Sequence, residues 1–312
     1  MSTACNLRPS RRIWKRTQTS SGSGSTIQRC PKGIPKGTIA EQAKTGRSIF
    51  SRKLTEQEHL EELKKNLRVQ GEWDDDAPFF YFLPRQVVLE CSARSLPPMQ
   101  RLRDVGHLVK FQIPLGDAFQ GKGVVNHILI VSHRWEEPGQ PDADGEQLKA
   151  IKAYLEENPD IEWVWFDFST MHQTIGGIDS RTPMEKAEFR LMLSAITNLH
   201  MTVRSLILLD GSYASRFWTL FEAWCSMQTA TPEGLRPATV AERRFTISCI
   251  HTATEAHGQA LVDLCSTKTP EQMFNVLKSP DVVVTNPSDK TSMLSRITVI
   301  DRHVIEVFQK AI

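Results

Sequence analysis

The strongest constraint on this chain is an alternation. Between residues 127 and 310, short apolar runs of the length a buried strand needs are separated by stretches with helical periodicity, and the pair recurs five times. The runs are His127–Val131, Ile161–Asp167, Leu206–Leu209, 243–250 and Val282–Val284. Between them, Leu148, Ile151 and Leu155 mark one face of a helix at 145–157, and Phe189, Leu193 and Ile196 one face of the next. A third helix follows Ser215, Thr254 opens a fourth that runs to about 265, and Asp289 opens a terminal one with Leu294, Ile297 and Ile300 inward. Strands and helices in this order predict an α/β domain over 121–312, a five-stranded parallel sheet with helices on both faces.

The residues before this domain read differently. Residues 1–45 are basic and rich in Ser and Gly, with Arg8, Arg11, Arg12, Lys15, Arg16, Arg29, Lys32 and Lys36 and no acid before Glu41, the composition of a disordered tail. An organelle transit peptide is the alternative, because import uses Arg- and Ser-rich, acid-poor termini. Residues 46–120 predict an N-terminal α+β annex. Thr55 and Glu58 form a capping box for a helix with Leu60, Leu63 and Leu67 on one stripe. A strand pair, or one strand broken at Pro84, follows, then a helix begun by Pro97 and Pro98, and a strand at 107–113. The segment 231–242 reads as a polar link.

Composition narrows the class of protein. A chain of 312 residues that is 40% apolar and 24% charged buries a full core, and a net charge of +2 argues for no particular partner, with no specific nucleic acid expected. The six cysteines are scattered without a CxxC pair or a His at ligand spacing, so reduced thiols in a cytoplasmic compartment are expected, with no metal site. No apolar run approaches the length of a membrane span. Asp142 and Asp144 look like a fragment of a calcium loop, but the twelve-residue frame is missing and helix capping accounts for them better.

Chemistry concentrates in Leu206–Cys225. The apolar run Leu206–Leu209 breaks at Asp210-Gly211-Ser212, Ser215 is placed to cap the next helix, and Trp218 and Glu222 share a face of it at i, i+4. In open α/β sheets ligands bind beyond the carboxyl ends of strands, where this face begins. The competing account makes Trp218 core and Glu222 a solvated charge. Trp163, Trp165 and Trp224 are assigned to the core, and His133 and His172 to hydrogen-bonded loops. Asp167 caps its loop or meets a ligand, and Arg134 pairs with Glu136 or Glu137 or meets one.

These residues resemble a known family. A first strand ending Ser132-His133-Arg134-Trp135, a second ending in Asp167 before a Gly-containing loop, and a third followed by Ser215-x-x-Trp218-x-x-x-Glu222 resemble the Toll/interleukin-1 receptor (TIR) domain over 124–310. Val164–Gln173 also resembles the fungal heterokaryon-incompatibility domain. The resemblance implies a flavodoxin-like three-layer fold. It makes 168–184 the mobile BB loop and Glu222 the catalytic residue of an NAD-cleaving enzyme. NAD enters as substrate, no cofactor is required, and activity depends on homo-oligomer contacts. Ser132, Arg134, Trp135, Asp167, Ser215 and Trp218 would line the substrate site. Two departures stand out: Thr219 follows Trp218 where the family often has Cys, and Trp224-Cys225 would put Gln228 in the catalytic place. A non-enzymatic signalling module and a nucleoside deoxyribosyltransferase-like enzyme are the other functions compatible with this pattern.

Overall fold

The computed structural model describes residues 55–311 apart from Glu72 and Ile175, so the basic tail expected at 1–45 lies outside the described residues. Eight strands are formed among them: β1 Phe79–Pro84, β2 Val109–Gln112, β3 Ile128–His133, β4 Trp163–Trp165, β5 Arg204–Leu209, β6 Gln228–Thr231, β7 Gly234–Pro237 and β8 Phe245–Cys249. Six of them make one mixed sheet in the order β2-β1-β4-β3-β5-β8, and β6 and β7 pair separately. β4, β3, β5 and β8 run parallel to their neighbours in that set, whereas β1 is antiparallel to both β4 and β2.

The α/β class expected from the alternation is present, with three differences. The parallel set has four strands rather than five, because Val282–Val284 enters no sheet and Val283 makes only an isolated bridge to Arg216. The region expected as an annex adds two strands directly to the sheet through Leu83 opposite Val164, so hydrogen bonds run across residue 120 and the described residues form one compact unit. The link expected at 231–242 carries most of the β6-β7 hairpin instead.

Period-2 alternation along β3 explains how the sheet is covered. Ile128 and Ile130 pack under the helix Pro183–Thr202, and Leu129 and Val131 pack on the opposite face against Leu148, Ile151 and Leu155 of the helix Glu146–Glu157. The helix Phe217–Ser226 lies beside Pro183–Thr202 and adds Leu220, Phe221 and Trp224 to a third cluster around Ile207 and Leu209. Trp165 and Trp224 are fully buried, as a core assignment requires. Each fully buried large apolar side chain contributes about 1.5–3 kcal/mol, so these clusters hold the strand ends in place.

Helix boundaries follow capping chemistry with some shifts. Thr55 and Glu58 form the expected capping box of Glu56–Val69, and Thr182 with Glu185 forms another at Pro183–Thr202. The helix at 217–226 is preceded by Arg216 and lacks a side-chain cap, so Ser215 is not its cap. The terminal helix expected from Asp289 is two helices, Pro287–Ile297 capped by Asn286 and Ile300–Lys310. A further helix, Pro270–Lys278, starts from a Thr269–Gln272 box. No helix among the described residues is long and apolar enough to cross a membrane.

Candidate functional site

The carboxyl end of β3 presents two consecutive polar side chains to opposite faces of the sheet. Ser132 continues the Ile128, Ile130 face and meets the helix Phe217–Ser226; its hydroxyl donates to Glu222 Oε2 at 2.6 Å and lies 2.5 Å from Tyr213 Oη. Because a hydroxyl has one proton, Ser132 giving its own to Glu222 makes Tyr213 the donor to Ser132. A chain of polar groups therefore runs from Tyr213 through Ser132 to the carboxyl of Glu222.

Burial dominates the electrostatics of that chain. Glu222 keeps only 14% of its side-chain exposure. Desolvation raises its proton affinity, the Ser132 hydrogen bond pulls it back, and the negative charge of Asp167 raises it again, giving a pKa of about 8. At neutral pH the carboxyl holds its proton in most molecules. Burial, followed by the Glu222 charge, pushes the Tyr213 phenol well up, so it stays protonated. His200 Nε2 stands 3.6 Å from the other Glu222 oxygen, beyond hydrogen-bond reach. Burial lowers the His200 pKa to about 3, so the ring is neutral. Both His200 nitrogens and the indole nitrogen of Trp165, whose ring meets His200 edge-on at 6.3 Å, have no protein partner.

On the opposite face, His133 stacks on Phe166 at 4.2 Å and its Nε2 lies 2.9 Å from Asp167 Oδ1. Trp135 Nε1 donates to Asp167 Oδ2 at 2.8 Å, and the Phe168 backbone N–H donates to Oδ1 at 2.5 Å. Asp167 opens the short helix Asp167–Thr170 where an open loop was expected, so its carboxylate is both a helix-start acceptor and the anchor of two aromatic side chains.

Arg134 is turned toward β5. Its Nε donates to Asp210 Oδ2 at 2.5 Å and its Nη1 to the Trp135 carbonyl at 2.8 Å. The partner expected for it, Glu136 or Glu137, is thus replaced by Asp210, which the fold brings alongside because β3 and β5 are adjacent and parallel. Arg134 and Asp210, with Glu136, Gly211, Ser212, His251 and Thr252, line a cleft of about 290 Å³ beyond the ends of β3, β5 and β8. Glu222 is not among its walls.

Ser132, Trp135, Asp167 and Glu222 are therefore brought to one end of the sheet, while Arg134 belongs to the neighbouring cleft. Trp218 is half-buried between two core clusters and meets Phe217 edge-on. Ser215 is exposed, its hydroxyl donating to the Ser212 carbonyl at 2.7 Å. Tyr213 and His200, the closest polar neighbours of the Ser132–Glu222 pair, were not expected. Tyr213 lies just past an apolar run and carried a positional signal, whereas His200 is one of several polar residues in an otherwise amphipathic helix and carried none.

No protein-family model, curated protein or solved structure matches the chain.

Proposed function

We propose that this chain is a TIR-like enzyme that cleaves NAD between nicotinamide and ribose, with Glu222 as the catalytic carboxyl. The observation that carries the reading is the placement of Glu222, hydrogen-bonded to Ser132 at the carboxyl end of β3, with its proton affinity raised to about 8. Two features support it. The parallel strands lie in the order β4-β3-β5-β8, which is the second, first, third and fourth of the set, the order of flavodoxin-like sheets. Strand carboxyl ends are where such sheets bind ligands.

The chemistry follows from the charges. Nicotinamide in NAD is a pyridinium, and a cation beside Glu222 favours its ionised form over the neutral one. The ionised carboxylate then faces the sugar. The bond from ribose C1′ to the ring nitrogen breaks, the electron pair leaves with neutral nicotinamide, and the carboxylate stabilises the positive carbon. Water adds to C1′ and passes its proton to Glu222, which restores the resting state. Trp135, held by Asp167, would offer an aromatic face to the pyridinium.

A second reading is a non-enzymatic module that works by self-association. It is favoured by Ile178 at 72% exposure and Met184 at 53%, both on the segment expected as the BB loop and its boundary with the next helix. One experiment separates the two: purified protein at high concentration is incubated with NAD, with Glu222→Ala and Ile178→Asp beside it. Nicotinamide release by the parent, lost by at least 100-fold in Glu222→Ala, is expected of the enzyme. No release, or equal release by that variant, sinks the enzymatic reading. Weaker self-association of Ile178→Asp on size-exclusion chromatography, without nicotinamide release by any form, supports the module.

A further inference from the structure

We propose that Glu136, Asp144 and His251 form a binding site for one divalent transition-metal ion of the zinc and manganese class. The three residues come from two loops: Glu136 and Asp144 stand near the two ends of the connection between β3 and the helix Glu146–Glu157, and His251 follows β8. The fold brings one donor atom from each within 4.8 Å of the others. A tetrahedral ion with bonds of about 2.1 Å needs donors about 3.4 Å apart. His251 Nε2, the nitrogen that would bind the ion, already lies 2.9 Å from Glu136 Oε1, whereas Asp144 Oδ2 lies 3.5 Å from the ring's other nitrogen, Nδ1. The side chain that must swing to complete the set is Asp144, which is 45% exposed and whose Oδ1 accepts the Glu146 backbone N–H at 3.1 Å.

The surroundings hold the other two ligands. Glu136 Oε2 accepts the Ala143 backbone N–H at 2.6 Å, and the Gln147 amide approaches Oε1 at 3.5 Å, which fixes the plane of the carboxylate and leaves Oε1 turned to His251. Outer hydrogen bonds of this kind orient metal ligands. His251 adopts φ 54, left-handed backbone that a side-chain-bearing residue rarely takes. The adjoining cleft, walled in part by Glu136 and His251, supplies an entry path and space for the water or anionic oxygen that fills the remaining coordination positions. One imidazole and two carboxylates suit zinc or manganese, whereas calcium takes six to eight oxygens.

The inference is independent of NAD cleavage, because binding is read directly. Metal-free full-length protein is titrated with Mn²⁺, followed by water-proton relaxation, and with Zn²⁺, followed by calorimetry; His251→Gln, Asp144→Asn and Cys249→Ser are titrated in parallel. Cys249 is exposed two residues before His251, and its thiol would compete for zinc but not for manganese. Saturable binding of one equivalent is expected, weakened at least tenfold in both His251→Gln and Asp144→Asn and unchanged in Cys249→Ser. His251 and Asp144 are both exposed, so folding survives their replacement, and circular dichroism verifies it. Absence of saturable binding below about 1 mM overturns the site. So does a loss smaller than tenfold in either variant, or loss of binding in Cys249→Ser.

Discussion

Replacing Glu222 by Gln keeps the shape of the side chain and removes its titration, and the shifted pKa values of Glu222 and His200 set the size of the effect on stability. In the fold Glu222 holds its proton up to about pH 8, while its ordinary value is 4.5. The stabilisation of the protonated form is fully present below pH 4.5 and is lost as pH rises toward 8. At about 1.4 kcal/mol for each tenfold change in proton affinity, the loss comes to about 5 kcal/mol, and the 14% of the side chain still exposed makes this an upper figure. His200 works in the other direction: its pKa is about 3 in the fold against 6.5 ordinarily, so its contribution is present above pH 6.5 and lost as pH falls. Between pH 4.5 and 6.5 the two slopes cancel. The joint contribution of these two groups is thus flat over that interval and falls by about 2 kcal/mol between pH 6.5 and 8. Glu222→Gln instead gains about 3 kcal/mol between pH 4.5 and 6.5 and is flat above it. Urea unfolding at half-unit steps from pH 4.5 to 8.5 measures both curves, and their difference cancels every other group. A difference that changes by less than about 1 kcal/mol, or one in which the parent gains on the variant as pH rises, would refute the reasoning.

Two further outcomes follow from the geometry. Gly145→Ala places a Cβ 2.7 Å from the Arg94 carbonyl oxygen at φ +87, so thermal melting should show a loss of about 2 kcal/mol or more; Gly139→Ala, at φ +76 with nothing within 4 Å, should lose about half as much. Asp167→Asn removes a negative charge that raises the Glu222 pKa, so carbon-13 NMR of the Glu222 carboxyl should show its midpoint falling below 8, and an unchanged midpoint would remove Asp167 from the electrostatics of the site.

The runs at 128–133, 163–165, 204–209 and 245–249 were readable as strands because a strand buried on both faces needs an apolar run. Val282–Val284 misled for the same reason: three β-branched residues satisfy the pattern, but a single bridge to Arg216 uses up their pairing. The β6-β7 hairpin went unread because Gln228–Thr231 and Gly234–Pro237 are too polar to signal a strand, and its stability comes from pairing. The box Thr269-x-x-Gln272 was visible and its helix went unassigned. At the site, Glu222 stood out because it follows Trp218 by one helical turn beyond a strand end. Ser132, 90 positions away, was expected at the site through the resemblance alone, and Tyr213 was not expected, since it meets Glu222 only through Ser132.

What the sequence determined by itself was the alternation of the four parallel strands with the helices that cover them, because strand and helix periodicities and caps are set by neighbours within a few residues. Tertiary structure alone decided that β1 and β2 extend the sheet, that Arg134 faces Asp210, that His251 reaches Glu136, and that Glu222 is protonated near neutral pH. Proton affinity depends on lost hydration and on charges carried in from distant positions, and neither exists until the chain has closed around the carboxyl.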